Sequence, residues 1–136
     1  MSTRPATILV IDDDPGFLKE SEAQLTSAGF DVLLALMGSQ ARIIVSAYGS
    51  GLDLALVDIV MPDESGVDVI RSVHRIAPDL RVIAITGHAT PTVVETARHF
   101  GAVATLTKPI GPEWIEVIRR ALREPPSINT GRATAT

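Results

Sequence analysis

Cysteine is absent from the 136-residue chain, which excludes disulfide staples and thiolate metal sites and fits a cytosolic protein. No apolar run approaches the roughly 20 residues that cross a bilayer, and no signal-peptide pattern precedes the first apolar segment, so no membrane role and a cytoplasmic location are expected. No cluster of Lys and Arg stands out, and 12 basic against 16 acidic residues leave a net charge of −4. Direct nucleic-acid binding by this chain is therefore not expected, since neutralising phosphates needs a basic face. Aromatic residues are scarce at 4%, with Trp114 the single tryptophan. A hydrophobic content of 46% with 21% charged residues is that of an ordinary globular protein, and the length fits one domain.

Four short apolar runs each end in a reactive residue. Ile8 to Ile11 runs into Asp12-Asp13, Leu54 to Val57 into Asp58, Val82 to Ile85 into Thr86, and Val103 to Thr107 into Lys108. Runs of this kind, free of internal charge, read as strands buried on both faces of a parallel sheet. Helix signals alternate with them. Asp14-Pro15 is an N-cap followed by a first-position proline, starting a helix that carries Leu18, Leu25 and Ala28 inward and stops at Gly29. Asp31 to Ala35 is a further strand, and Gly38 to Tyr48 a helix with Ile44 and Ala47 inward, broken at Gly49-Ser50-Gly51. Val69, Ile70, Val73 and Ile76 form the next helical stripe, ending before Pro78. Thr90-Pro91 caps a helix with Val93, Val94, Ala97 and Phe100 inward, and the last helix covers about Pro112 to Leu122.

Five βα units predict an α/β fold, a doubly wound (βα)5 three-layer sandwich. Of the common doubly wound orders, 2-1-3-4-5 suits five parallel strands and sets Asp12 and Asp13 beside Asp58 at the topological switch point. Residues 1–5 are expected as an N-terminal extension, 6–123 as the domain and 124–136 as a disordered tail or linker.

All carboxyl ends of a parallel sheet point the same way, so Asp12, Asp13, Asp58, Thr86 and Lys108 are expected at one edge. Converging acids repel, and some cation must compensate them. Hard oxygen ligands with no His or Cys beside them favour Mg2+, which binds through a few carboxylates plus a phosphate oxygen. Asp14 caps the helix, leaving Asp12 and Asp13 free as ligands. Asp58 ends an apolar strand where a carboxylate without a partner is costly. As a nucleophile it could form an acyl phosphate, with Thr86 donating to one phosphoryl oxygen and Lys108 pairing with another.

These stretches resemble the receiver domain of two-component response regulators from about Ala6 to Leu122. The resemblance rests on Ile8 to Asp14, Leu56 to Pro62 with Gly66, Ile85-Thr86-Gly87, and Gly101-Ala102 through Thr107-Lys108-Pro109. It implies that Asp58 is the phosphoacceptor of a histidine kinase or histidine phosphotransfer protein. It also implies that Asp12, Asp13, Asp58 and the Val60 carbonyl hold Mg2+, that Thr86 and Lys108 sense the phosphoryl group, and that Lys108-Pro109 is cis.

The family usually carries Tyr or Phe where this chain has Thr105, so the rotating-ring part of the switch is missing. Val60 and His88 occupy the two positions that tune acyl-phosphate lifetime. Val60 cannot orient a water, and slow self-dephosphorylation, minutes or longer, is expected. His88 reads as a solvated loop residue, with water positioning or partner contact as the alternative, and His74 and His99 as surface or helix-end residues. On the last helix, Trp114, Ile115, Val117, Ile118, Ala121 and Leu122 cover two stripes, more than packing on a sheet needs. The surplus suggests a face, with the preceding helix and the fifth strand, for a downstream protein or a homodimer. Trp114 is expected to report on that face more than on the phosphoryl site.

Two rival readings are weaker. Asp12-x-Asp14 is similar to the start of haloacid dehalogenase-type phosphatases, but Pro15-Gly16 departs from that pattern and Asp58 would have no role. The other is a phosphate-independent interaction module on the same fold, favoured only by Thr105. The chain is therefore not expected to be an enzyme. No second domain follows Leu122, which suggests a stand-alone receiver over one excised from a longer protein.

Overall fold

The computed structural model describes residues 4–124. Five strands alternate with five helices. They are β1 (Thr7–Ile11), α1 (Pro15–Ser27), β2 (Asp31–Ala35), α2 (Gly38–Tyr48), β3 (Leu54–Asp58), α3 (Gly66–Ile76), β4 (Arg81–Thr86), α4 (Pro91–His99), β5 (Ala102–Thr107) and α5 (Pro112–Arg123). The expected extension at 1–5 and tail at 124–136 lie outside the described residues, save Arg4, Pro5 and Glu124.

All strand pairs are parallel, in the order β2-β1-β3-β4-β5. This is the predicted order, with the switch point between β1 and β3. The register aligns Ile11 with Val57 and Asp58 with Ile85, so the residues that follow β1 and end β3 stand side by side.

Alternating side chains divide the core into two layers, as the two-residue repeat of a strand requires. Ile8, Val10, Leu54 and Leu56 pack with Leu25 of α1 and Ile118 of α5. Leu9, Ile11, Ala55 and Val57 face Val45 of α2 and the fully buried Val69, Ile70 and Val73 of α3. α4 touches the sheet through small residues, Ala97 against Ala84 and Ala102.

The helix boundaries have local causes. The Asp14 side chain accepts from Gly16 N at 2.9 Å and the Thr90 hydroxyl from Val93 N at 3.2 Å, so both predicted caps form. Gly29 (φ 98°) and Gly101 (φ 110°) follow α1 and α4 in the left-handed region, which glycine enters without a Cβ penalty.

Several inward positions differ from expectation. In α2 the buried residues are Ala41 and Val45, while Ile44 is half-buried and Ala47 exposed. Gly38 is also buried at the start of α2, so the buried face runs through Gly38, Ala41 and Val45. Ile76 ends α3 with 41% exposure, beyond the edge of the sheet. β5 is not buried on both faces: as an edge strand it leaves Val103 exposed and Thr105 half-buried. The second stripe of α5 is also better covered than predicted, because Ile115, Val117 and Leu122 pack partly against the core.

Candidate cation and phosphoryl site

β1 and β3 deliver the acids. Asp12 follows β1 and is fully buried, with its N–H donating to Ala35 O at 3.0 Å. Its Oδ1 accepts from Asp14 N at 2.9 Å, which turns the chain from strand into helix. Asp13 is exposed, and Asp58, the last residue of β3, is 4% exposed. One carboxylate oxygen from each of the three lies within 4.8 Å of the others.

Lys108 comes from the end of β5, where its N–H donates to Thr86 O at 2.9 Å. The Lys108-Pro109 peptide is cis, as expected. Lys108 Nζ stands 2.7 Å from Asp12 Oδ2 and 3.4 Å from Asp58 Oδ2. The buried Asp12 Oδ2 is therefore held by an ion pair with the ammonium.

The electrostatics follow from that crowding. Burial pushes the Asp58 carboxyl above its ordinary range and the Asp12 charge adds to this, against the Val60 N–H and Lys108. Burial alone would lower the Lys108 ammonium, but Asp12 and Asp58 outweigh it and hold it above its usual value. One ammonium faces three carboxylates. An all-oxygen donor set and this excess of negative charge fit a hard divalent cation.

The remaining predicted residues are placed differently from one another. Val60 N donates to Asp58 Oδ1 at 3.1 Å, while the Val60 side chain is 72% exposed. The buried Thr86 hydroxyl accepts from His88 N at 3.0 Å and donates to His88 O at 3.2 Å, so it is engaged with its own loop and not with the acids. His88 itself is exposed. Thr105 lies beside Ala84 in the sheet. His74 approaches Leu80 O at 3.1 Å through Nε2, and burial lowers its pKa. His99 lies edge-on to Phe100.

Two aromatic residues join the site unexpectedly. Lys108 Nζ sits 4.5 Å from the centre of the Phe17 ring, and that ring lies 5.9 Å from Trp114 at 59°. Trp114 is fully buried and donates from Nε1 to Thr107 O at 3.2 Å. The tryptophan is thus linked to the lysine and does not stand on an outer face. Phe17 carried a weak sequence signal, an apolar residue in the first turn after the acidic run. Nothing in the spacing marked its contact with Lys108.

The doubly wound order and the acidic edge with its lysine define the class, an open α/β protein with its site at the carboxyl ends of the strands. A response regulator receiver domain family model matches residues 8–119, and the chain belongs to that family. It is similar to the DNA-binding transcriptional regulator NtrC of Rhizobium meliloti, 36% identical over 121 residues covering 88% of this chain and 25% of that protein. Among solved structures, a response regulator receiver domain protein from Clostridium thermocellum superposes with a TM-score of 0.79 at 31% identity, covering 86% of this chain and 94% of that one. A response regulator from Burkholderia pseudomallei, solved with a phosphorylated aspartic acid, calcium ion and citrate, gives 0.75 at 28% identity over 87% of this chain and 66% of that one. The chain spans about a quarter of the length of the first curated relatives it matches. Among the described residues, no helix is long and apolar enough to cross a membrane.

Proposed function

We propose that this chain is a phosphoacceptor receiver of a two-component system, phosphorylated on Asp58. The observation that carries the reading is the convergence of Asp12, Asp13 and Asp58 with the Lys108 ammonium between two of them. An Asp58 carboxylate oxygen attacks phosphorus while the P–N bond to a donor histidine breaks, and its electron pair returns to the imidazole nitrogen. Asp12, Asp13, Asp58 and the Val60 carbonyl would hold Mg2+, which would neutralise charge on the transferring group. Lys108 exchanges its contact with Asp58 for one with a phosphoryl oxygen, and the Thr86 hydroxyl must leave His88 to donate to another.

The donor is a histidine kinase or histidine phosphotransfer protein, and the setting cytoplasmic. Val60 offers no group to orient water, which supports slow self-dephosphorylation, while His88 stands exposed at the other lifetime position. With Thr105 in place of an aromatic ring, output runs through the α4–β5–α5 face, where Val103 is exposed, to a downstream protein or a second copy. The test is intact mass after incubation with acetyl phosphate and Mg2+. One added phosphoryl group, absent in Asp58→Asn, supports the reading. No addition from acetyl phosphate or a cognate kinase would leave a phosphate-independent module.

A further inference from the structure

Residues 59–65 join β3 to α3 and carry Val60, whose N–H meets the Asp58 carboxylate. Both ends of this loop are pinned. Val60 N donates to Asp58 Oδ1, and Gly66 N donates to Ile59 O at 2.9 Å. Between them, the loop's polar tie to a distant element among the described residues is Glu64, whose Oε2 and Oε1 lie 3.0 and 3.3 Å from Arg42 Nη1 on α2. The same nitrogen donates to Ser72 Oγ on α3 at 3.1 Å.

The pair is built in. Its side chains are 34% and 29% exposed, so it is screened less than a surface pair. The Glu64 carboxylate lies over Gly38, where an added Cβ would meet Oε1 at 2.2 Å. Met37, the N-cap of α2, supplies no side-chain cap, so the carboxylate stands where a helix favours negative charge. A cavity of about 110 Å³ is lined by Arg42, Glu64, Met61 and Asp13, connecting the pair to the acidic pocket.

We infer that Arg42 and Glu64 form a latch that positions the β3–α3 loop and thereby sets how tightly the acidic pocket holds a divalent cation. This rests on the reading of Asp12, Asp13, Asp58 and the Val60 carbonyl as cation ligands. Arg42 and Glu64 are positioning residues and do not touch the ion. A pure charge effect would act differently: removing the Arg42 cation would tighten Mg2+ binding, and removing the Glu64 anion would weaken it. A latch loses the same contact in both variants.

The test is calorimetric titration of the full chain with Mg2+, comparing wild type, Arg42→Gln, Glu64→Gln and the double variant. The latch predicts that each single variant binds about tenfold more weakly, the low end of the scale for residues that orient metal ligands, and that the double variant is no weaker than the weaker single. Arg42→Gln binding as tightly as wild type or more tightly overturns the latch. If Arg42→Gln does not fold, Glu64→Asp keeps the charge but draws the carboxylate one methylene back from Arg42 Nη1; weakened binding supports the latch and unchanged binding overturns it. A folded wild type that binds no Mg2+ overturns the cation reading itself, and the latch with it.

Discussion

Replacing Lys108 with methionine removes the one ammonium that compensates the buried acids while keeping most of the apolar stem. At an effective dielectric of about 20, its gross attraction is ~6 kcal/mol to Asp12 at 2.7 Å and ~5 kcal/mol to Asp58 at 3.4 Å. Desolvation of the ions offsets much of this, and breaking a buried pair costs about 3 kcal/mol net. With a urea slope of roughly 1.5–2 kcal/mol/M, the unfolding midpoint of Lys108→Met at pH 7 without metal should fall by about 1.5–2 M. A divalent cation would supply the missing positive charge, so saturating Mg2+ should shrink the difference to below about 1 kcal/mol. The pH dependence is also fixed. The raised Lys108 value means its stabilisation is complete below 10.5 and lost as pH rises through the higher folded value. A loss in Lys108→Met that is equal with and without Mg2+ would refute the reasoning.

Three further outcomes follow from the same geometry. Because the folded-state pKa of Asp58 is raised, its ionised form is a cost above that value, so Asp58→Asn without metal should be at least as stable as wild type at pH 7. That advantage should shrink as pH falls below the folded value and vanish below the ordinary value of 3.8, and a pH-independent difference in urea unfolding would contradict it. Gly66→Ala would place a Cβ 2.0 Å from Asp58 O and 2.6 Å from the Ile59 Cα, so a loss of about 1–3 kcal/mol with weakened Mg2+ binding is expected; unchanged stability and affinity would count against it. Mg2+ binding should change Trp114 emission through Lys108 and Phe17, and Phe17→Leu should bind Mg2+ yet lose most of that change. Constant emission in wild type during a calorimetrically verified titration would show that the aromatic link does not report on the site.

The fold and the meeting of Asp12, Asp13, Asp58 and Lys108 were legible because both are written in local patterns. Apolar runs ending in Asp12, Asp58, Thr86 and Lys108 give the strands and their common edge, and Asp14-Pro15 and Thr90-Pro91 mark two helix starts. What was not legible depends on packing between elements. The face of α2 that buries Ala41 and Val45 depends on how the helix packs against its neighbours, and the exposure of Val103 on its place in an edge strand. The contacts of Phe17 with Lys108 and of Arg42 with Glu64 join residues far apart in the chain, and no sequence spacing announces them.

The most direct measurement is borohydride reduction of the chain after incubation with acetyl phosphate and Mg2+, followed by peptide mass spectrometry. Reduction converts an aspartyl phosphate to homoserine, and the prediction is homoserine at position 58 alone. Homoserine at Asp12 or Asp13, or at no position in a folded and metal-loaded protein, would contradict the assignment of Asp58 as phosphoacceptor.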